Sequence, residues 1–130
     1  MGAYPDGEGW MAAKTVLLVD DSRVARMMTR HVIEVSRPDW TVIEAACGED
    51  ALALLAETTP DFVVLDVNMP GIGGLETARR MKQTAPALPI TLLTANIQDP
   101  VRQQAATLGV GFLNKPLRED ALLAFLAGEG

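Results

Sequence analysis

The chain has 130 residues, with 11 basic against 17 acidic side chains, a net charge of −6, one cysteine and one histidine. That length fits one domain, and the acidic balance argues against a nucleic-acid binder, which shows a basic face to phosphates. Cys47 has no disulfide partner, and with only His31 beside it no Cys/His zinc site can be assembled, so a bound metal must be held by oxygen.

Residues 1–13 carry three glycines, a proline and two acids with no apolar period, and are read as an extension ahead of a domain spanning 14–130. They lack the basic start and apolar stretch of a signal peptide, and no run approaches the ~20 apolar residues of a membrane helix. The expectation is a cytoplasmic protein with neither membrane insertion nor direct nucleic-acid contact. With 48% hydrophobic and 22% charged residues, the chain folds rather than remaining disordered.

From Thr15 onward, five short β-rich apolar runs, at 15–19, 41–45, 62–65, 90–93 and 110–113, alternate with helical periods. The runs at 15–19, 62–65 and 90–93 are nearly unbroken, as in strands covered on both faces, and belong in the middle of a parallel sheet. The helical stripes are Val24, Met28, Val32 and Val35; Ala51, Leu52 and Leu55; Leu75, Ala78 and Met81; Val101, Ala105 and Leu108; and Leu122, Phe125 and Leu126. Five such alternations predict a doubly wound α/β fold, a five-stranded parallel sheet with five helices. Met69-Pro70-Gly71, with Gly73 and Gly74, makes the turn into the third helix.

Ligands of such a sheet sit outside the carboxyl ends of its strands. Those ends carry Asp20 and Asp21 after the first run, Asp66 after the third, Thr94 after the fourth and Lys115 just after the fifth. A lone aspartate there is usually a cap or turn former. Three converging carboxylates repel one another, and Lys115 leaves a formal −2 from three acids and one base. A hard divalent cation with oxygen ligands fits that residue, and Mg²⁺ suggests phosphate chemistry. Lys115 and Thr94 suit the cationic and hydroxyl donors of phosphoryl transfer, Asp66 stands where a carboxylate nucleophile would form an aspartyl phosphate, and Asp20 and Asp21 are left to hold the metal.

The segments Leu17-Leu-Val-Asp-Asp-Ser22, Phe62-Val-Val-Leu-Asp-Val-Asn-Met-Pro-Gly71, Leu93-Thr-Ala95 and Phe112-Leu-Asn-Lys-Pro116 resemble the receiver domain of two-component response regulators, the CheY-like fold. Their order, with gaps of 45 residues from Asp21 to Asp66, 28 to Thr94 and 21 to Lys115, makes the resemblance specific. It implies strand order 2-1-3-4-5, with Asp66 as phosphoacceptor and Asp21, Asp66 and the backbone carbonyl of Asn68 as Mg²⁺ ligands. Asp20 would act through water, Lys115 would pair with the phosphoryl group, Thr94 would move to hydrogen-bond it, and the Lys115–Pro116 peptide would be cis. Phe112 matches the switch aromatic, or is simply a core residue of the last strand. Asn68 and Asn96 occupy rate-tuning positions. The donor implied is a histidine protein kinase or phosphotransfer protein, and the output is a protein-binding surface on the fourth helix, fifth strand and fifth helix, in a single-domain receiver.

Two other readings compete. A Mg²⁺ phosphohydrolase of the haloacid-dehalogenase kind carries a D-x-D nucleophile on its first strand, which here offers Asp20-Asp21, and needs a substrate cap. A phosphorylation-independent module would have a vestigial pocket, against which all five pocket residues stand. His31 reads as a helix-surface residue and Cys47 as a packing residue. Arg23, Arg26 and Arg30 read as a solvated face, with partner docking as the alternative.

Overall fold

Strands β1 (Thr15–Val19), β3 (Phe62–Asp66) and β4 (Ile90–Thr94) are buried at every residue after Thr15, because helices cover both of their faces. The computed structural model describes residues 13–95 and 99–128. Within them, β2 (Thr41–Ala45) and β5 (Gly111–Asn114) complete one parallel sheet of order β2-β1-β3-β4-β5. β3 and β4 run one residue beyond expectation, which makes Asp66 and Thr94 the last residues of their strands. β5 begins at Gly111 rather than Val110, whose N–H instead donates to the Ala105 carbonyl at 3.0 Å and closes the preceding helix. The expected extension at 1–13 lies, but for Ala13, outside the described residues.

Alternation along β1 sorts the core into two layers. Leu17 and Val19 face Ala51 of α2 (Gly48–Glu57), Ala78 and Met81 of α3 (Gly73–Thr84) and Ala105 of α4 (Asp99–Leu108). Val16 and Leu18 face Ile33 of α1 (Arg23–Ser36) and Leu122, Phe125 and Leu126 of α5 (Glu119–Leu126). Trp40 stacks on Phe62 at 5.8 Å, and Phe125 meets Phe62 edge-on at 5.5 Å, closing the amino end of the sheet.

The stripe expected on α1 is corrected. Val32 packs against the core as expected, but Val24, Met28 and Val35 are exposed, together with Met27, and the buried positions are Thr29 and Ile33. The inward face carries charge beside Ile33, because two of its residues, Arg26 and Arg30, find acceptors on β2. Arg26 and Arg30 are thus half-buried, and only Arg23 of the basic group stands in solvent.

Gly74 anchors α3 to the end of β3, its N–H donating to the Val67 carbonyl at 3.1 Å. A Cβ there would collide with the Asp66 carbonyl oxygen and lie 2.7 Å from the Val67 Cα, both backbone atoms that cannot swing away. Gly74→Ala is expected to destabilise the fold by about 2 to 3 kcal/mol, read as a lower urea midpoint at unchanged slope.

Candidate functional site

Four strands deliver the site. Asp66 ends β3 at 3% exposure, and Asp20 follows β1 at 4%, while Asp21 is exposed at the rim. One carboxylate oxygen from each of the three lies within 4.8 Å of the others. Parallel pairing of β1 with β3 sets Val19 beside Leu65, so the next residues, Asp20 and Asp66, emerge side by side. Lys115, just after β5, places its ammonium 3.2 Å from Asp66 Oδ1 and 3.6 Å from Asp20 Oδ2. Thr94, buried at 2%, ends β4, and its carbonyl accepts the Lys115 N–H at 2.9 Å, so β4 locates the lysine. The Lys115–Pro116 peptide is cis, as the resemblance implies.

Local hydrogen bonds fix the acids. Asp20 Oδ1 accepts the Ser22 N–H at 2.8 Å, and Ser22 Oγ caps α1 by accepting from Ala25 N–H at 3.1 Å. Asn68 N–H donates to Asp66 Oδ1 at 3.2 Å, which holds the loop after β3 against the cluster. Burial and then the Asp20 charge raise the Asp66 carboxyl above its ordinary value, against the pull of Lys115 and the Asn68 N–H. For Lys115, burial opposes the ammonium, but its hydrogen bond to Asp66 and the charges of Asp66 and Asp20 outweigh that cost and raise its pKa.

Three oxygen donors, two buried and one open to solvent, around a net negative charge suit a hard cation that keeps some of its waters, as Mg²⁺ does. Phe112 is half-buried in β5, with the Arg102 guanidinium 5.3 Å from its ring centroid. Asn96 lies outside the described residues. Glu44, in β2, escaped sequence reading as a site neighbour, as did the contacts that Arg26 makes there. Glu44 accepts from Arg26 Nε at 2.8 Å and Arg30 Nε at 2.6 Å, and Arg26 Nη1 also donates to the Asp20 carbonyl. Burial pushes the Glu44 carboxyl up, but the two arginines outweigh it and hold the group below its ordinary value. The available signal was an arginine pair at i, i+4 with an acid inside an otherwise apolar strand.

A family model described as the response regulator receiver domain matches residues 16–127. The chain belongs to that family. This receiver is 40% identical over 112 residues to the cyclic di-GMP phosphodiesterase response regulator RpfG of Xanthomonas campestris pv. campestris, covering 84% of this chain and 30% of that protein. It is 37% identical over 101 residues to the response regulator UvrY of Escherichia coli, covering 77% of this chain and 46% of that protein. The receiver thus spans less than half the length of these curated relatives. Chemotaxis protein CheY4 of Vibrio cholerae matches with a TM-score of 0.83 at 31% identity, over 92% of this chain and 100% of that one. The expected strand order, and with it the CheY-like fold, is borne out. The family is a signalling domain of two-component systems rather than a classical enzyme. Its members bind Mg²⁺ at an acidic pocket and take phosphate from histidine kinases or phosphotransfer proteins. Among the described residues, no helix is long and apolar enough to cross a membrane.

Proposed function

We propose that this receiver accepts a phosphoryl group on Asp66 from a histidine protein kinase or phosphotransfer protein, in a Mg²⁺-dependent reaction, and thereby switches a protein-binding surface. The observation that carries the reading is the buried Asp66 carboxylate at the end of the central strand, with Asp20, Asp21 and Lys115 gathered round it. Asp21, Asp66 and the Asn68 carbonyl would hold the ion directly, with Asp20 acting through water. When bound, Mg²⁺ neutralises charge on the acids and on the incoming phosphoryl oxygens. A carboxylate oxygen of Asp66 attacks phosphorus, the P–O bond forms as the P–N bond to the donor imidazole breaks, and the departing nitrogen keeps the electron pair. Lys115 pairs with the new phosphoryl oxygens, and the Thr94 hydroxyl moves to hydrogen-bond one of them.

The phosphoryl group places a charge of about −1.5 to −2 beside Lys115 and Thr94, where the ionised Asp66 carboxylate carried −1. Because both residues sit at the carboxyl ends of β4 and β5, their movement is passed to α4, β5 and α5, with Phe112 as the switch aromatic and Asn68 and Asn96 as rate-tuning positions. The match across all of CheY4 supports reading the unit as one receiver domain. Incubation with acetyl phosphate and Mg²⁺ is expected to add the mass of one phosphoryl group, which chelation of Mg²⁺ prevents and Asp66→Asn abolishes. Persistence of the added mass in Asp66→Asn would refute the assignment.

A further inference from the structure

We propose that Arg26, braced by Glu44, is a positioning residue for the acidic cluster: it fixes the peptide joining Asp20 to Asp21 and so sets the affinity of the pocket for Mg²⁺. The inference rests on the metal reading of that cluster given above. Arg26 lies in the first turn of α1 with its side chain only 14% exposed. One arm of its guanidinium donates to Glu44 Oε1 at 2.8 Å, and the other donates to the main-chain oxygen of Asp20. Glu44 cannot swing away, because its second oxygen is taken by Arg30 Nε at 2.6 Å, and Arg30 is itself tied to the Val42 carbonyl at 3.0 Å. A rigid planar fork can hold a carboxylate and a carbonyl together; a lysine ammonium on a flexible stem lacks that fixed geometry.

The Asp20 carbonyl lies past the end of β1, beyond the ladder to β3 and ahead of the first helical acceptor, Ser22. Asp20 is otherwise fixed through its N–H, which donates to the Ala45 carbonyl at 3.2 Å, through Oδ1, which accepts from Ser22, and through Oδ2, 3.6 Å from the Lys115 ammonium; none of these holds its carbonyl. Arg26 supplies the remaining constraint. The peptide plane that carries the Asp20 carbonyl also carries the Asp21 nitrogen, so its tilt sets where both side chains leave the backbone. Mg²⁺ accepts only near-ideal octahedral geometry at roughly 2.0 to 2.1 Å, and a small rotation of that plane moves two of the three acids relative to Asp66.

The test is a Mg²⁺ titration of the full chain without phosphodonor, followed by calorimetry and by the backbone amide resonances of Asp20 and Asp21. Arg26→Gln is expected to raise the Mg²⁺ Kd at least about tenfold, the scale on which partners that orient metal ligands act. Arg26→Lys, which keeps the charge but not the fork, should lose nearly as much and carries the test if Arg26→Gln does not fold. Arg30→Gln loosens Glu44 but leaves the Arg26 donor to the Asp20 carbonyl in place, and should raise the Kd clearly less than Arg26→Gln does. A Kd for Arg26→Lys within about twofold of the parent, or an equal loss in Arg30→Gln, overturns the positioning role. If the parent protein binds no Mg²⁺, the metal reading itself falls, and this inference with it.

Discussion

Replacing Asp66 by Asn should make the domain more stable at neutral pH while removing its phosphoacceptor. The carboxyl is almost fully buried and is raised above its ordinary value, chiefly by that burial and next by the Asp20 charge. A carboxyl that binds its proton more readily folded than unfolded favours the native state fully only below its unfolded pKa. That contribution is lost as pH rises through the folded value, so the ionised group is a net cost at neutrality. Asparagine keeps the shape, removes one of three mutually repelling charges, and leaves Lys115 with Asp20 at 3.6 Å. The expected gain at pH 7 without Mg²⁺ is about 1 to 3 kcal/mol, the scale of interactions between close, partly screened charges, or a rise in Tm of roughly 4 to 11 °C. Thermal unfolding across pH checks the sign: the two proteins should converge as pH falls below the ordinary carboxylate range. Mg²⁺ should close the gap from the other side, since it stabilises only a native state that binds it. Equal stability at every pH would mean that Lys115 already cancels the repulsion.

The placement of that acid was legible because strand burial and strand ends are local properties. β1, β3 and β4 announce themselves as central by unbroken apolar runs, and the residue that stops each run is polar for a reason: Asp20, Asp66 and Thr94 stand where the sheet opens to its ligand side. α1 was not legible in the same way. Its valines and methionines sit at helical spacing, yet Val24, Met28 and Val35 point outward, and the face toward the sheet carries Arg26 and Arg30. The arginines are drawn inward by Glu44, which lies 18 and 14 positions further along on another element. Local periodicity carries no information about such a pairing, and a half-buried arginine has the same spacing as a solvated one. The hold of Arg26 on the Asp20 backbone was hidden for the same reason: a contact to main chain leaves no mark on residue identity.

Lys115→Met should have opposite effects on the fold and on the metal. In chelator the variant is expected to lose about 2 kcal/mol. Removing one partner of a fully buried pair costs more than that, but Lys115 is 31% exposed and part of its attraction to Asp66 and Asp20 is screened by solvent. Its contribution is fully present at neutral pH, because the raised lysine pKa keeps the ammonium charged until pH climbs through the folded value. What remains after the substitution is a formal −3 from Asp20, Asp21 and Asp66. That more negative cluster should bind Mg²⁺ roughly tenfold more tightly, about 1.4 kcal/mol, since the ammonium no longer competes for the same oxygens. Saturating Mg²⁺ should then restore much of the lost stability through binding to the native state alone. Phosphorylation should nevertheless slow on the order of 10²-fold, because no ammonium remains to meet the charge on the transferring oxygens. Calorimetric Mg²⁺ titration with unfolding in chelator and in Mg²⁺ separates two roles for Lys115. Tighter binding with lower intrinsic stability marks it as a counter-ion that gives way to the metal, whereas weaker binding would mean that it organises the acids that hold the ion.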